Sequence, residues 1–214
     1  MSLSLALAMT TAPRGTPTLD RSIASLRAAG FDRELAILED AEKVGAFPNW
    51  VRAVRHLLDT TDAEWLMVLQ DDTSWASGSR AVLEREILAL GERARNAGLL
   101  SPFLGNKIAR ELAQRNSLHP GWHPSQLGYH SVGALCYILP RQSAAQLLAD
   151  DVFNGLLREH RQNIDRWVPG RFLELGRETL FRYPSLINHK LGSGNSSIKP
   201  KKPHDTAHWR AVAC

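Results

Sequence analysis

The sequence predicts an α/β protein built on a doubly wound, mostly parallel sheet flanked by helices, and three observations lead there. Short apolar segments alternate with segments whose apolar residues recur at helical spacing, so strand, helix, strand, helix, strand is written along the first third of the chain. The third strand, Trp65–Leu69, is apolar at every position, the pattern of a strand buried on both faces. Each of the first three strands ends in a polar cluster, and sheets of this kind bind ligands beyond the carboxyl ends of their strands.

Ser4–Met9 reads as the first strand, ending in the polar turn Thr10-Thr11-Ala12-Pro13-Arg14-Gly15. Leu19, Ile23 and Leu26 then recur at helical spacing until Gly30 stops the helix. Leu35–Leu38 is the second strand, closed by Glu39-Asp40. A second helix is expected after Pro48-Asn49, with Trp50, Val51, Val54, Leu57 and Leu58 on one face. The third strand ends abruptly at Gln70-Asp71-Asp72. A long amphipathic helix is expected over Arg80–Asn96 and a further strand over Leu99–Leu104. Past Gly105 the pattern loosens. Asn116–His130 reads as a loop, Gly133–Leu139 as a strand and Arg141–Asp151 as a helix. Leu156–Phe172 reads as helix in pieces, and Thr179–Tyr183 as a strand before Pro184. The expected organisation is one α/β domain over residues 1–198, with halves at 1–105 and 106–198, followed by a basic tail at 199–214.

Composition excludes several classes. A chain of 214 residues, 43% hydrophobic and 22% charged, is long enough for a proper core and is neither disordered, collagen-like nor of low complexity. The formal charge of +4 is unevenly placed: residues 1–105 hold 11 basic against 14 acidic side chains, and residues 106–214 hold 15 against 8. An acidic first half and a basic second half point to two surfaces with different partners. Cys136 and Cys214 make no disulfide framework and lack metal-ligand spacing, so a reducing cytoplasm is expected. The apolar start Ser2–Met9 lacks a basic n-region and reads as strand rather than signal sequence. No stretch approaches the roughly 20 apolar residues that a membrane span requires.

The end of the third strand carries the most chemistry. Adjacent carboxylates at the mouth of a buried strand repel unless a cation or hydrogen-bond donors compensate. A hard divalent ion bridging a diphosphate is one compensation for Asp71 and Asp72; a plain turn through Asp72-Thr73-Ser74 is the other reading. His119, His123 and His130 have a spacing that binds zinc when it falls on a helix, but Pro120 and Gly121 break that helix, and a loop is expected instead. Trp122 and Tyr129 in that loop either stack on a sugar or base or anchor the loop by packing. Gly133-Ala134 either admits an acceptor closely or marks a tight turn. Cys136 reads as core.

In context these segments resemble a known group of enzymes. Asn49-Trp50-Val51-Arg52-Ala53-Val54-Arg55, then Glu64-Trp65-Leu66-Met67-Val68-Leu69-Gln70-Asp71-Asp72, resembles the donor half of nucleotide-sugar-dependent glycosyltransferases of the GT-A (Rossmann-like) fold. Thr10-Thr11-Ala12-Pro13-Arg14, with Thr18-Leu19 and Ser25-Leu26, resembles their first strand and nucleotide-binding loop. Tyr183-Pro184-Ser185-Leu186-Ile187-Asn188-His189-Lys190-Leu191-Gly192, with Asn195-Ser196-Ser197, resembles their C-terminal Pro-Ser-Leu and histidine segment. The matches fall in the expected order over most of residues 4–198.

The resemblance implies roles. Asp72 would bind Mn²⁺ or Mg²⁺ on the sugar diphosphate, with His189 touching the metal or the diphosphate. Asp71 would lie near the ribose or a metal-bound water. Glu39 or Asp40 would face the base or ribose, and Thr10, Thr11 and Arg14 would cradle the nucleotide, with Asn49, Arg52, Lys190 and Ser196 on the same donor site. Gln70 departs from the family's motif, whose first position is an acid. Asn163-Ile164-Asp165-Arg166-Trp167, followed by Arg171-Phe172-Leu173, resembles the segment that precedes Pro-Ser-Leu in related enzymes. Asp165 is the candidate base that takes the acceptor hydroxyl's proton if configuration inverts. Its alternative is an exposed helix acid paired with Arg161 or Arg166.

The acceptor side follows from charge and resemblance together. Arg158, Arg161, Arg166, Arg171, Arg177 and Arg182, then Lys190, Lys199, Lys201, Lys202 and Arg210, with Trp167, Tyr183 and Trp209 between them, could follow a phosphate backbone. Some compact enzymes of this fold that act on hydroxymethylated pyrimidines in phage-type DNA are similar to this chain. That implies a DNA acceptor, in a host cytoplasm if the chain is phage-encoded, with the target base flipped out and Trp122, Tyr129 and Gly133 lining the acceptor site. A bacterial surface polysaccharide or lipid-linked glycan is the other acceptor, and a non-catalytic nucleic-acid-binding α/β module the other class of protein.

Overall fold

The computed structural model describes residues 3–13, 18–104, 118–125, 134–159 and 163–189. The first half runs β1 (Leu5–Thr11), α1 (Leu19–Ala28), β2 (Leu35–Glu39), α2 (Ala46–Thr60), β3 (Trp65–Gln70), β4 (Thr73–Trp75), α3 (Ser79–Leu90), α4 (Glu92–Asn96) and β5 (Leu99–Ser101). The second half runs β6 (Gly121–Pro124), β7 (Cys136–Pro140), α5 (Arg141–Leu148), α6 (Asp151–Glu159), α7 (Ile164–Glu174), β8 (Thr179–Tyr183) and β9 (Ile187–His189).

Seven strands form one sheet in the order β2-β1-β3-β7-β5-β8-β6. β1 is parallel to β2 and β3, and β5 to β8, while β7 opposes β3 and β5, and β6 opposes β8. Five strands therefore share one direction. This is the α/β class that the sequence predicts, and it is consistent with the GT-A resemblance.

The apolar run of β3 explains the layering. Trp65, Met67 and Leu69 enter one buried cluster with Leu26 of α1 and Val82, Leu83 and Ile87 of α3. Leu66 and Val68 enter the other with Trp50, Val54 and Leu57 of α2, Leu147 of α5, Phe153 of α6, and Val168 and Phe172 of α7. Period-two alternation thus feeds a core on each face, as a strand covered on both sides requires.

Several boundaries differ from the sequence reading, each for a local reason. Thr10 and Thr11 are the last residues of β1 rather than the start of a turn, since they continue the ladder to Leu38 and Glu39. α2 begins at Ala46, not after Asn49, because Pro48 sits in the first turn, where a missing N–H costs nothing. The helix expected over Arg80–Asn96 breaks at Gly91, whose φ of 55° only glycine adopts readily. β5 stops at Ser101 because Pro102 has no N–H to extend a ladder. The loop expected over Asn116–His130 contains edge strand β6, and the Arg141–Asp151 helix ends at Leu148, with a new one starting at Asp151. β4 and β9 form a separate two-stranded sheet, with Thr73 opposite His189 and Trp75 opposite Ile187. Among the described residues no helix is long and apolar enough to cross a membrane. The 199–214 tail lies outside the described residues.

Candidate functional site at the carboxyl edge of the sheet

The ends of β1 and β3 meet side by side and are joined by their own side chains. Thr11 Oγ1 donates to Asp71 Oδ2 at 2.6 Å, and Asp71 N–H donates to Thr10 carbonyl at 3.1 Å. Thr10 Oγ1 donates to the Leu69 carbonyl at 3.3 Å. From below, Ser22 Oγ of α1 lies 2.6 Å from the Asp71 carbonyl oxygen and 2.9 Å from that of Thr73, and Ser25 Oγ accepts the Trp75 N–H at 2.7 Å. The chain from the end of β3 through β4 is therefore held at Leu69, Asp71, Thr73 and Trp75.

This suture separates the two carboxylates. Asp71 is 1% exposed and turned to Thr11, a neutral donor that offsets part of the cost of burying a charge. Asp72 faces the other way. Its Oδ2 lies 3.5 Å from His189 Nδ1, because the β4–β9 register sets His189 opposite Thr73. The imidazole is 38% exposed and the carboxyl 12%, so the pair opens on the mouth of the sheet, with the Phe103 ring edge-on to His189 at 6.2 Å.

The remaining expected donor-site residues are placed differently from one another. Asp40 is buried, and its two oxygens accept the N–H groups of Val44 (2.7 Å) and Gly45 (2.9 Å), which shapes the entry into α2. Asn49, 2% exposed, donates from Nδ2 to the Leu38 carbonyl at 2.9 Å and the Thr11 carbonyl at 3.3 Å, clamping the ends of β1 and β2. Its Oδ1 is buried and has no hydrogen-bond partner among the described residues. Glu39 and Arg52 are exposed. Arg14, Lys190 and Ser196 lie outside the described residues, as do Tyr129 and Gly133.

Asp165 stands exposed in the first turn of α7, on the helical layer over the second core cluster. Its charge reaches Tyr137: burial first, and Asp165 second, hold that phenol well above the ordinary tyrosine value. Trp122 is on β6 and packs against the first core cluster. Four strand spacings separate β6 from β3, about 19 Å, so its described contacts are those of an anchor. Cys136 is fully buried, as expected of a core residue, and burial pushes its thiol up. Among the described residues no group of three metal-ligating side chains converges, at the histidines or elsewhere.

Three members of the expected basic stripe, Arg171, Arg177 and Arg182, are committed to partners within the protein, while Arg161, Lys190, Lys199, Lys201, Lys202 and Arg210 lie outside the described residues. Arg182, 4% exposed, pairs with both oxygens of Glu86 at 2.7 Å and donates to the Pro184 carbonyl. Arg171 pairs with both oxygens of Asp150 at 2.8 Å and with Glu174, and Arg177 bonds Gln146, Ser143 and the Asn96 carbonyl. A phosphate backbone cannot reach Arg182 where it sits, which corrects that part of the stripe.

Sequence reasoning missed Ser22 and Phe103, and it reached Ser25 only as part of a resemblance, without its bond to β4. The serines are spaced three apart on one face of α1, a signal that acquires meaning only once β4 is known to lie there.

The geometry defines a class: an α/β protein whose sheet presents two divergent carboxylates and an acid–histidine pair at its carboxyl edge. No family model and no curated protein matches the sequence. Among solved structures, the galactosyltransferase LgtC in complex with donor and acceptor sugar analogs is 9% identical, with a TM-score of 0.47, covering 78% of this chain and 70% of that one. The A197 protein from STIV is 11% identical, with a TM-score of 0.46, covering 88% of this chain and 87% of that one. Likeness at this level carries no argument about activity.

Proposed function

We propose that the chain is a metal-dependent glycosyltransferase that moves a hexose from a nucleotide sugar, UDP-linked, to an acceptor hydroxyl. The observation that carries this reading is the Asp72–His189 pair, 3.5 Å apart across the β4–β9 sheet, with Asp71 next in the chain and bonded to Thr11. The donor set suits Mn²⁺ or Mg²⁺, since hard divalent ions take one or two carboxylates and fill their remaining positions with phosphate oxygens and water. Asp72 and His189 would hold the ion. When bound, it neutralises the charge that develops on the departing diphosphate.

The other residues have roles that need no metal. Thr11 holds Asp71 in place beneath the proposed ribose position, and Asn49 serves the donor site from below by clamping the ends of β1 and β2 that frame it. Asp165, exposed on α7, accepts the proton of the attacking hydroxyl. Titration with UDP in the presence and absence of Mn²⁺ tests the core of the proposal. Affinity that depends on the metal is expected, and Asp72→Ala should abolish transfer while the melting temperature holds. Undiminished turnover in that variant, or UDP affinity indifferent to Mn²⁺, would sink the metal assignment, and absence of UDP binding with and without Mn²⁺ would sink the donor site.

For the acceptor, a hydroxymethylated pyrimidine in DNA rests on the basic excess of residues 106–214. A surface polysaccharide or lipid-linked glycan is served by the same charge. Mass spectrometry of products from a panel of nucleotide sugars offered with modified DNA and with glycans distinguishes the two.

A further inference from the structure

Asp72 stands one residue before β4, and β4 has a strand along one edge only. β9 takes that edge: Ser74 lies opposite Asn188, and the Ala76 N–H donates to the Leu186 carbonyl at 2.9 Å. The odd-numbered residues between Asp71 and Trp75 turn their peptide groups the other way. Among the described residues no strand meets them there, and α1 does instead. Its serines supply the donor and acceptor that a neighbouring strand would. The Ser22 hydroxyl donates to the Asp71 and Thr73 carbonyls, at 2.6 and 2.9 Å, and Ser25 Oγ accepts the Trp75 N–H at 2.7 Å. The two carbonyls that share Ser22 belong to the residues on either side of Asp72. Held before and after, the Asp72 backbone has little freedom to rotate, so α1 sets the direction of its carboxyl. Ser22 and Thr73 are fully buried and Asp71 is 1% exposed, so a lost hydroxyl leaves carbonyls that water does not readily reach.

We propose that Ser22, assisted by Ser25, is a positioning residue for the ion at Asp72 and His189. It lies behind the pair and acts through the backbone, keeping the Asp72 carboxyl where it meets His189 at 3.5 Å. The inference rests on the metal reading of that pair. Hard divalent ions give this positioning its importance, since Mg²⁺ in particular demands near-ideal octahedral geometry. A small rotation of Asp72 then costs affinity in a protein that is still folded.

Titration of the full chain with Mn²⁺ at saturating UDP, beside UDP titrations with and without the metal, reads the effect. Loss of an outer-shell partner costs about 10- to 100-fold in metal affinity, and Ser22→Ala, which acts through the backbone, should weaken Mn²⁺ by about tenfold. Ser25→Ala, at a half-buried position, should weaken it by a smaller factor. In metal-free protein the same variant should speed hydrogen exchange at the Trp75 amide. Gly98→Ala is the control, since it crowds Phe172 at the start of β5, away from the carboxyl edge. It should lower the melting temperature and leave Mn²⁺ affinity unchanged. A parent whose UDP affinity ignores Mn²⁺ removes the metal reading and this inference with it. A Mn²⁺-dependent parent whose serine variants bind the ion as tightly overturns the inference alone. An equal loss in Gly98→Ala also overturns it, because general stability would then explain the effect. If Ser22→Ala does not fold, Ser25→Ala decides by the same measurements.

Discussion

Thr11 and Asp71 show how much of the site is decided by single hydrogen bonds. Thr11→Val keeps the shape of the side chain but removes the donor that faces a 1% exposed carboxylate. Hydrogen bonds to charged groups are worth about 1.5–3 kcal/mol, so denaturant unfolding should register a loss of that order with an unchanged slope. In a cycle with Asp71→Asn, a coupling energy of about 1–3 kcal/mol is expected. Strict additivity would show that the contact does not hold Asp71. Asp72 should behave in the opposite way. Its partner is the half-exposed His189, and Asp72→Asn relieves repulsion from Asp71, so melting should stay level or rise. Metal-dependent nucleotide binding should disappear in the same variant.

Elements are where sequence and structure part company. β1, β2 and β3 were legible because each is an apolar run long enough to show its period, and α2 because its face repeats over four turns. β4 and β9 are three residues each, and their pairing joins positions more than a hundred residues apart, a contact that no local pattern encodes. Asp72 was therefore readable from its strand and His189 only from a resemblance. Two predictions belong at this scale. A Cβ on Gly98, at the entry to β5, would lie 2.4 Å from Phe172 Cγ of α7. Gly98→Ala should cost about 1–3 kcal/mol through overpacking, and adding Phe172→Leu should recover part of it. The second concerns the α5–α6 junction. Asp150 bonds Arg171 and the Phe153 N–H, and the Arg171 bond foremost holds its carboxyl below the ordinary value of 3.8. A depressed folded-state value stabilises above the unfolded one and loses that contribution as pH falls through the folded value. Asp150→Asn should thus be less stable than the parent at pH 7, and the gap should narrow as pH falls below the ordinary carboxyl value of 3.8. A gap that is the same at both pH values would place the Asp150 contribution in packing rather than charge.

At the scale of the whole molecule, the charge division has a structural consequence. Arg171 bonds Asp150 and Glu174 within the second half, while Arg141 (to the Leu58 and Thr61 carbonyls), Arg177 (to the Asn96 carbonyl) and Arg182 (to Glu86) tie the second half to the first. Cations for an external polyanion must then come from the rest of that half, which includes exposed Arg158 and Arg166 among the described residues and, in the sequence after Ile198, Lys199, Lys201, Lys202 and Arg210. The DNA form of the acceptor proposal becomes quantitative on this division. Each phosphate contact contributes about 0.9 to the slope of log affinity against log salt for duplex DNA, so truncation after Ile198 should lower the slope by about 3 to 4. Arg182→Met should leave the slope unchanged while lowering stability, because it strands Glu86, whose carboxylate is 22% exposed. A slope that ignores the truncation and falls with Arg182→Met would mean that the internal arginines meet the polyanion after all. A flat salt dependence with full activity on a neutral glycan would move the acceptor out of nucleic acids altogether.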